Sequence, residues 1–401
     1  KKIFELRPDV DWDKGRALTA LLNGMEESPS AAVPIYIGDD TTDEDAFREI
    51  RNSGIGILVD DSDEGSSLAA FRLRNPEEVA AFLEKLMEFS EKDDPEGQWK
   101  LRYTDFSPSS EQLRETLCAT GNGYMVTRGA APESSAGENH YPGTYIGGCY
   151  NRRVSHVSGK NIENESIVNM PNWLPLTFRI EEDDWFLPED VELHSYEQVL
   201  DMAGGILNRK LVCSDDEGRT TRLNQRRFAH MGRRHLAGLS TVIVPENWSG
   251  SLTVKTALDG NVYNAQVKRY QQLDNHHLQP VDQGTDGRQT IWIQVETNQS
   301  HIKVGLAART CIFLNGVRIS PDRDNSVREG YAGQEITMEL EEGDELRIEK
   351  TAAYYTSRDH GISECLLEAR NDVFKAPGFH ELLFEHVMGW QRLWDRCCIS
   401  C

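Results

Sequence analysis

Near residue 90 the hydrophobic period of the chain changes from mixed strand and helix to strand alone, which limits the fold to at least two parts. Before that point "VPIYIG" and "GIGILV" are short β-branched runs of the kind buried in parallel sheets. "KIFELRP" is an extended run ended by Pro8, and "DKGRALTALLN" carries Leu18, Leu21 and Leu22 at helical spacing. "NPEEVAAFLEKLMEF" predicts a helix with Asn75 as N-cap and Pro76 in the first position. Glu77 and Glu78 then fall in its positive first turn, and Val79, Phe82, Leu83 and Leu86 form one apolar face. The β-α-β-α series makes residues 1–89 an α/β domain of about half the usual length.

"SEKDDPEG" has the composition of a linker, placed at 90–99. Beyond it "GSLTVKTALDG", "TIWIQVETN", "CIFLNGVRI" and "ITMELEEGDELRIEK" alternate apolar and polar residues, divided by D-G, N-G and E-G-D turns. Strands in such succession predict a large antiparallel β-sandwich over 100–376. In "GFHELLFEHVMGWQRLWDR" Phe379, Leu382, Leu383, Trp390, Leu393 and Trp394 mark a helical stripe, so 377–401 reads as a linker helix. A helix this apolar predicts further chain past Cys401 to pack against, and the opening Lys1 predicts further chain before it.

The net charge of −23 excludes nucleic acid and anionic membrane as partners, because both require a basic surface. Small sugars and metal ions remain compatible with it. No apolar run approaches the roughly 20 residues that span a bilayer. The eight cysteines show no disulfide framework, which predicts a reducing, cytoplasmic setting. Cys398 and Cys401 make a lone C-x-x-C beside Cys397, read as ordinary thiols rather than a zinc site.

The densest chemistry lies at 35–47, "IYIGDDTTDEDAF", where acids start at the carboxyl end of an apolar strand, the end at which open α/β sheets gather ligands. A calcium loop starting at Asp39 fails, since Glu44 and Ile50 stand where glycine and glutamate are needed. Magnesium fits better, with Asp39 and Asp40 supplying oxygens after a tight turn at Gly38. Asp43 is expected to cap the next helix, with Glu44 and Asp45 serving only its first turn. Lys14 stands at a helix start, where the macrodipole opposes a cation, and a bound phosphate would offset that.

"FELRPDVDWDKGRALTALL", "PIYIGDDTTDEDAF" and "GIGILV" together resemble the carboxyl half of trehalose-6-phosphate phosphatase, of the haloacid dehalogenase superfamily, over residues 1–89. The resemblance implies that Lys14 neutralises phosphate, that Asp39 binds Mg2+, and that Asp40 and Asp43 complete the acidic site. It also implies a nucleophilic D-x-D-G-T element, and no such string occurs in these 401 residues. "DVDWD" at 9–13 supplies D-x-D alone and runs straight into the lysine motif. The missing half is therefore expected before Lys1, and these residues alone should not hydrolyse phosphate esters by that route.

"ETLCATGNGYMVTRGAAPE", "YPGTYIGGCYNR", "NMPNWLPLTFRI", "LDMAGGILNR" and "KTALDGNVYNAQVKRY" resemble the amino-terminal sandwich of glycoside hydrolase family 65, phosphorylases and hydrolases of α-linked disaccharides. That resemblance places the catalytic glutamate in a helical barrel absent from this sequence, so no catalytic residue is carried over to the sandwich. Glu163, Glu165 and Glu364 are carboxylates without a mapped partner. Asn122–Gly123 reads as a hairpin turn rather than a nucleotide loop. Trp173 and Trp185 read as core, and "YPGTYIGGCYNR", with Tyr141 and Tyr145, as an exposed loop able to face a sugar.

The expectation is a multidomain chain: a partial haloacid dehalogenase-like α/β domain, a large β-sandwich and the start of a helical linker. It would be the join of a bifunctional cytoplasmic enzyme acting on trehalose 6-phosphate and trehalose-type disaccharides. A homo-oligomer is compatible with the sequence. The alternatives are a degenerate phosphatase scaffold and a non-catalytic sugar-binding module built on the sandwich.

Overall fold

The computed structural model describes residues 13–23, 33–51, 53–61, 67–91, 99–265 and 273–397. The extended run at 2–8 and the C-x-x-C at Cys398 and Cys401 lie outside the described residues. The chain divides into two compact units, Lys1–Glu96 and Gly97–Cys401.

In the first unit α1 (Lys14–Asn23), β1 (Ile35–Gly38), α2 (Asp43–Ile50), β2 (Ile55–Val59), β3 (Phe71–Leu73) and α3 (Pro76–Glu91) follow in order. The strands form one parallel sheet, β1-β2-β3, with α2 crossing between the first two. Ala46, Phe47 and Ile50 bury one face of α2 against β2, where Ile55 and Ile57 are also buried. Gly56 is required there, since a Cβ on it would lie 2.8 Å from the Phe47 ring. Asn75 Oδ1 accepts the Glu78 amide at 2.8 Å, the cap expected for α3. Leu21 departs from the expected apolar face of α1 and is 70% exposed.

The second unit stacks two antiparallel sheets. Four strands run in the order Leu176–Ile180, Gly250–Asp259, Tyr331–Leu340, Asp324–Arg328. The larger sheet has ten, including adjacent strands Leu346–Thr356, Leu236–Pro245, Thr220–Ala229, Ile206–Ser214 and Glu192–Asp201. Leu252, Val254, Leu258 and Ile336 from the smaller sheet meet Leu239, Ile293, Val304, Leu306 and Ile348 from the larger in one apolar core. Each such side chain contributes about 1.5–3 kcal/mol. Trp173 is completely buried in it, as expected. Lys350 lies in the same interior and donates to the carbonyls of Ala257 and Pro175 at 2.8 and 3.0 Å. Burial holds its ammonium pKa well below the ordinary value.

Two helices within the stretch assigned to the sandwich were not anticipated. α4 (Pro108–Leu117) starts behind Ser107 with proline in its first turn. α5 (Cys365–Lys375) starts before the position where the sequence reading placed the first linker helix. Its Cys365, Ala369 and Val373 are buried, while Leu367 and Phe374 face outward. α6 (Phe379–Cys397) follows, with Phe379, Leu382 and Leu383 buried and Leu393 exposed. Trp394 packs on Trp99 at 5.0 Å and donates to the Ala203 carbonyl at 2.8 Å. No described helix is long and apolar enough to cross a membrane.

Candidate functional site

The acidic run folds around one carboxylate. β1 ends at Gly38, the chain turns through Asp39–Thr42, and α2 starts at Asp43. Asp43 is 2% exposed, and its carboxylate turns back to the loop instead of capping the helix amides. Its Oδ2 accepts the Asp39 and Asp40 amides at 3.0 and 3.1 Å. Its Oδ1 accepts the Tyr36 hydroxyl and the Lys14 ammonium, both at 2.6 Å. A Cβ on Gly38 would stand 2.3 Å from Asp43 Cγ, so the glycine is needed to admit this side chain.

Lys14 reaches the hub from the start of α1, which the residue before it, Asp13, caps through the Arg16 amide at 2.8 Å. Gly15 lets the two helices approach, since a Cβ there would lie 2.7 Å from the Asp45 carbonyl. The ion pair with Asp43, and a longer one to Asp40 at 3.4 Å, offset the unfavourable helix dipole at Lys14. Asp40 also accepts the Thr42 amide at 2.7 Å and the Thr42 hydroxyl.

These contacts fix the charge states. The hydrogen bond to Asp43 raises the Lys14 pKa above its ordinary value. Burial pushes the Asp43 carboxyl up, but the bonds from Lys14, Tyr36 and the two amides outweigh it and leave it below the usual range. Burial and the bond to Asp43 push the Tyr36 phenol up to about 12. The Thr42 hydroxyl and amide hold Asp40 down to about 2. At neutral pH the site therefore presents a fixed cation beside Asp40 and Asp43, both ionised.

The carboxylates of Asp39, Asp40 and Asp43 offer oxygens within 4.8 Å of one another. Asp39 is exposed, and its carboxylate has no hydrogen-bond partner among the described residues. Glu44 does more than start a helix: it accepts the Leu68 amide at 2.8 Å and the Ser67 hydroxyl, which ties down the segment before β3. Asp45 pairs with Arg48 on the helix surface. Tyr36 was missed by sequence reasoning. It reads there as one more strand residue, and only the folded turn brings Asp43 to it.

Two of the three sandwich carboxylates are engaged in surface ion pairs. Glu163 and Glu165 form exposed pairs with Arg152 at 3.3 and 2.9 Å, and Glu364 precedes α5 with no side-chain cap bond. Tyr141, read as part of an exposed loop, is 4% exposed. It donates to the Tyr263 carbonyl at 3.2 Å and accepts from the Ala265 amide and the Tyr145 hydroxyl. The polar tips of this loop find partners inside the protein, which is why a Gly-Pro-rich stretch could be buried. Trp185 lies under the cations of Lys255 and Arg179, at 3.9 and 4.9 Å from the ring centre. Asn122 and Gly123 form the expected turn, with Gly123 at φ +82°.

The N-terminal domain model of glycosyl hydrolase family 65 matches residues 101–393. The chain belongs to this family. Ahead of that match, residues 1–77 of this family 65 chain match the trehalose-phosphatase family, a segment that contains Lys14, Asp39, Asp40 and Asp43. An uncharacterized glycosyl hydrolase of Mycobacterium tuberculosis is 41% identical over 409 residues, spanning 100% of this chain and 30% of the relative. A kojibiose phosphorylase of Caldanaerobacter subterraneus is 28% identical over 308 residues, 75% of this chain and 38% of its own. A probable trehalose-phosphate phosphatase of Oryza sativa is 50% identical over 90 residues, 22% of this chain and 24% of its own. The family 65 chain thus spans between 24% and 38% of the length of these curated relatives.

Proposed function

We propose that this chain is the join of a bifunctional cytoplasmic enzyme, in which a trehalose-6-phosphate phosphatase precedes an α-disaccharide phosphorylase or hydrolase. The observation that carries the reading is a lysine fixed on a buried aspartate next to the Asp39 carboxylate, which has no partner among the described residues, at the carboxyl end of a parallel strand. Lys14 would bind a phosphoryl oxygen, held for that purpose by Asp43. Asp43 has both oxygens engaged, so it positions Lys14 and the loop, while Asp39 and then Asp40 are the oxygens open to a hard divalent cation. Magnesium bound there would draw negative charge from the phosphoryl group. The attacking carboxylate of the D-x-D-G-T element would come from outside these 401 residues, as would the catalytic barrel of the second enzyme. The sugar-binding alternative gains no support, because Tyr141, expected in a loop able to face a sugar, is inside the protein.

The test is phosphate release from trehalose 6-phosphate by the intact natural polypeptide with magnesium present. K14M and D39N should each lower the rate by on the order of 10²–10³-fold while leaving the disaccharide-cleaving rate unchanged. Wild-type rates in both variants, or no phosphate release from the intact protein, would refute the phosphatase assignment.

A further inference from the structure

Lys14, assigned above to a phosphoryl oxygen, stands on a flexible four-carbon stem, and its side chain is 42% exposed. The ammonium must be held in one place if it is to meet a phosphoryl group productively. Among the described residues it has two polar contacts, Asp43 Oδ1 at 2.6 Å and Asp40 Oδ1 at 3.4 Å. Asp43 is thus its main anchor, and Lys14 does not have that oxygen to itself. The Tyr36 hydroxyl donates to the same Oδ1, also at 2.6 Å.

Tyr36 is locked from behind. It stands two residues before Gly38 on β1, so both face the side of the sheet on which the Asp43 side chain lies. Its ring meets Phe47 edge-on, with the centroids 5.7 Å apart. Phe47 is 1% exposed and fills the space left by Gly56, the register partner of Tyr36 on β2. Contacts therefore run without a break from the buried face of α2 through Phe47, Tyr36 and Asp43 to the exposed ammonium.

A carboxylate oxygen offers two lone-pair directions. At Asp43 Oδ1 the phenol fills one and leaves Lys14 the other, while the Asp39 and Asp40 amides engage Oδ2. Without the phenol the ammonium is free to move between both directions. Phenylalanine would make the same ring contact with Phe47, so the oxygen of Tyr36 serves Asp43 alone.

We propose that Tyr36 is a positioning residue of the phosphatase site. Its hydroxyl shares Asp43 Oδ1 with Lys14 and thereby aims the ammonium at the phosphoryl group. The inference rests on the phosphatase reading and adds to it a residue that acts through Lys14.

A double-mutant cycle of Y36F and K14M in the intact natural polypeptide tests this, read as kcat/KM for phosphate release from trehalose 6-phosphate with magnesium. Y36F should lower kcat/KM about 10-fold with Lys14 present and less than about twofold in the K14M background. A merely structural hydroxyl would cost the same in both backgrounds. That result would overturn the proposal, as would a Y36F rate equal to wild type. A crystal structure of intact Y36F needs no activity and separates this failure from failure of the phosphatase reading. In it the Lys14 ammonium should be displaced by about 1 Å or spread over two positions at Asp43 Oδ1. An ammonium that has not moved overturns the positioning role, whereas a displaced ammonium in a protein that releases no phosphate supports that role and sinks the phosphatase reading alone.

Discussion

Raising the pH from 6 to 10 should weaken the second unit at a single clamp. His140 is 9% exposed, with Nδ1 at 2.9 Å from Glu115 Oε1 and Nε2 at 2.7 Å from Glu189 Oε1. Only the imidazolium can donate from both nitrogens, so the two carboxylates select the charged form. Burial opposes that charge, but the hydrogen bonds to Glu115 and Glu189 outweigh it and raise the pKa from 6.5 to about 9. A raised pKa contributes stability that is fully present below 6.5 and is lost as pH rises through 9. At about 1.4 kcal/mol per pH unit, the difference amounts to about 3 kcal/mol. Urea unfolding followed by tryptophan fluorescence, at pH 6 and pH 10, measures it as the stability gap between wild type and H140Q. Glutamine carries both of its donors on one nitrogen and cannot reach the two carboxylates from opposite edges as the imidazolium does, and the comparison cancels the titrating groups that do not touch this site. The gap should shrink by about 3 kcal/mol at the higher pH. A gap that stays constant within about 0.5 kcal/mol would refute the clamp.

Three further outcomes are expected. G38A should cost about 1–3 kcal/mol and displace the Asp43 carboxylate, because its Cβ would lie 2.3 Å from Asp43 Cγ; equilibrium unfolding of the first unit measures it. D43A should destabilise that unit by about 2–4 kcal/mol by stranding Tyr36, Lys14 and two amides, whereas D39N should leave its stability within about 0.5 kcal/mol of wild type. W173A, which empties a fully buried site, should cost the second unit about 3–5 kcal/mol in the same measurement.

The sequence by itself determined the period of each segment and the chemistry each turn could carry. Asn75 and Pro76 mark the start of α3 locally, as does the glycine and acid string after β1, and the alternation of apolar residues after residue 100 defines the sandwich strands. The resemblance of its short motifs to trehalose-6-phosphate phosphatase also brought Lys14, Asp39, Asp40 and Asp43 into one candidate site. The division of labour among them was left to the tertiary structure. Asp43 looks like a helix cap in one dimension, but its carboxylate is closer to Tyr36, Lys14 and the loop amides than to its own helix amides. The turn that brings these groups together has no signature beyond Gly38. Tyr141 was misread for the related reason that its partners, Tyr263 and Ala265, lie more than a hundred residues away. The same holds for the buried row of Gln198, Arg209, Gln225 and Arg227. Along their strands most of these stand among other polar residues that face outward, and only strand pairing aligns them in one buried row, since register is set by the whole sheet and not by any one strand.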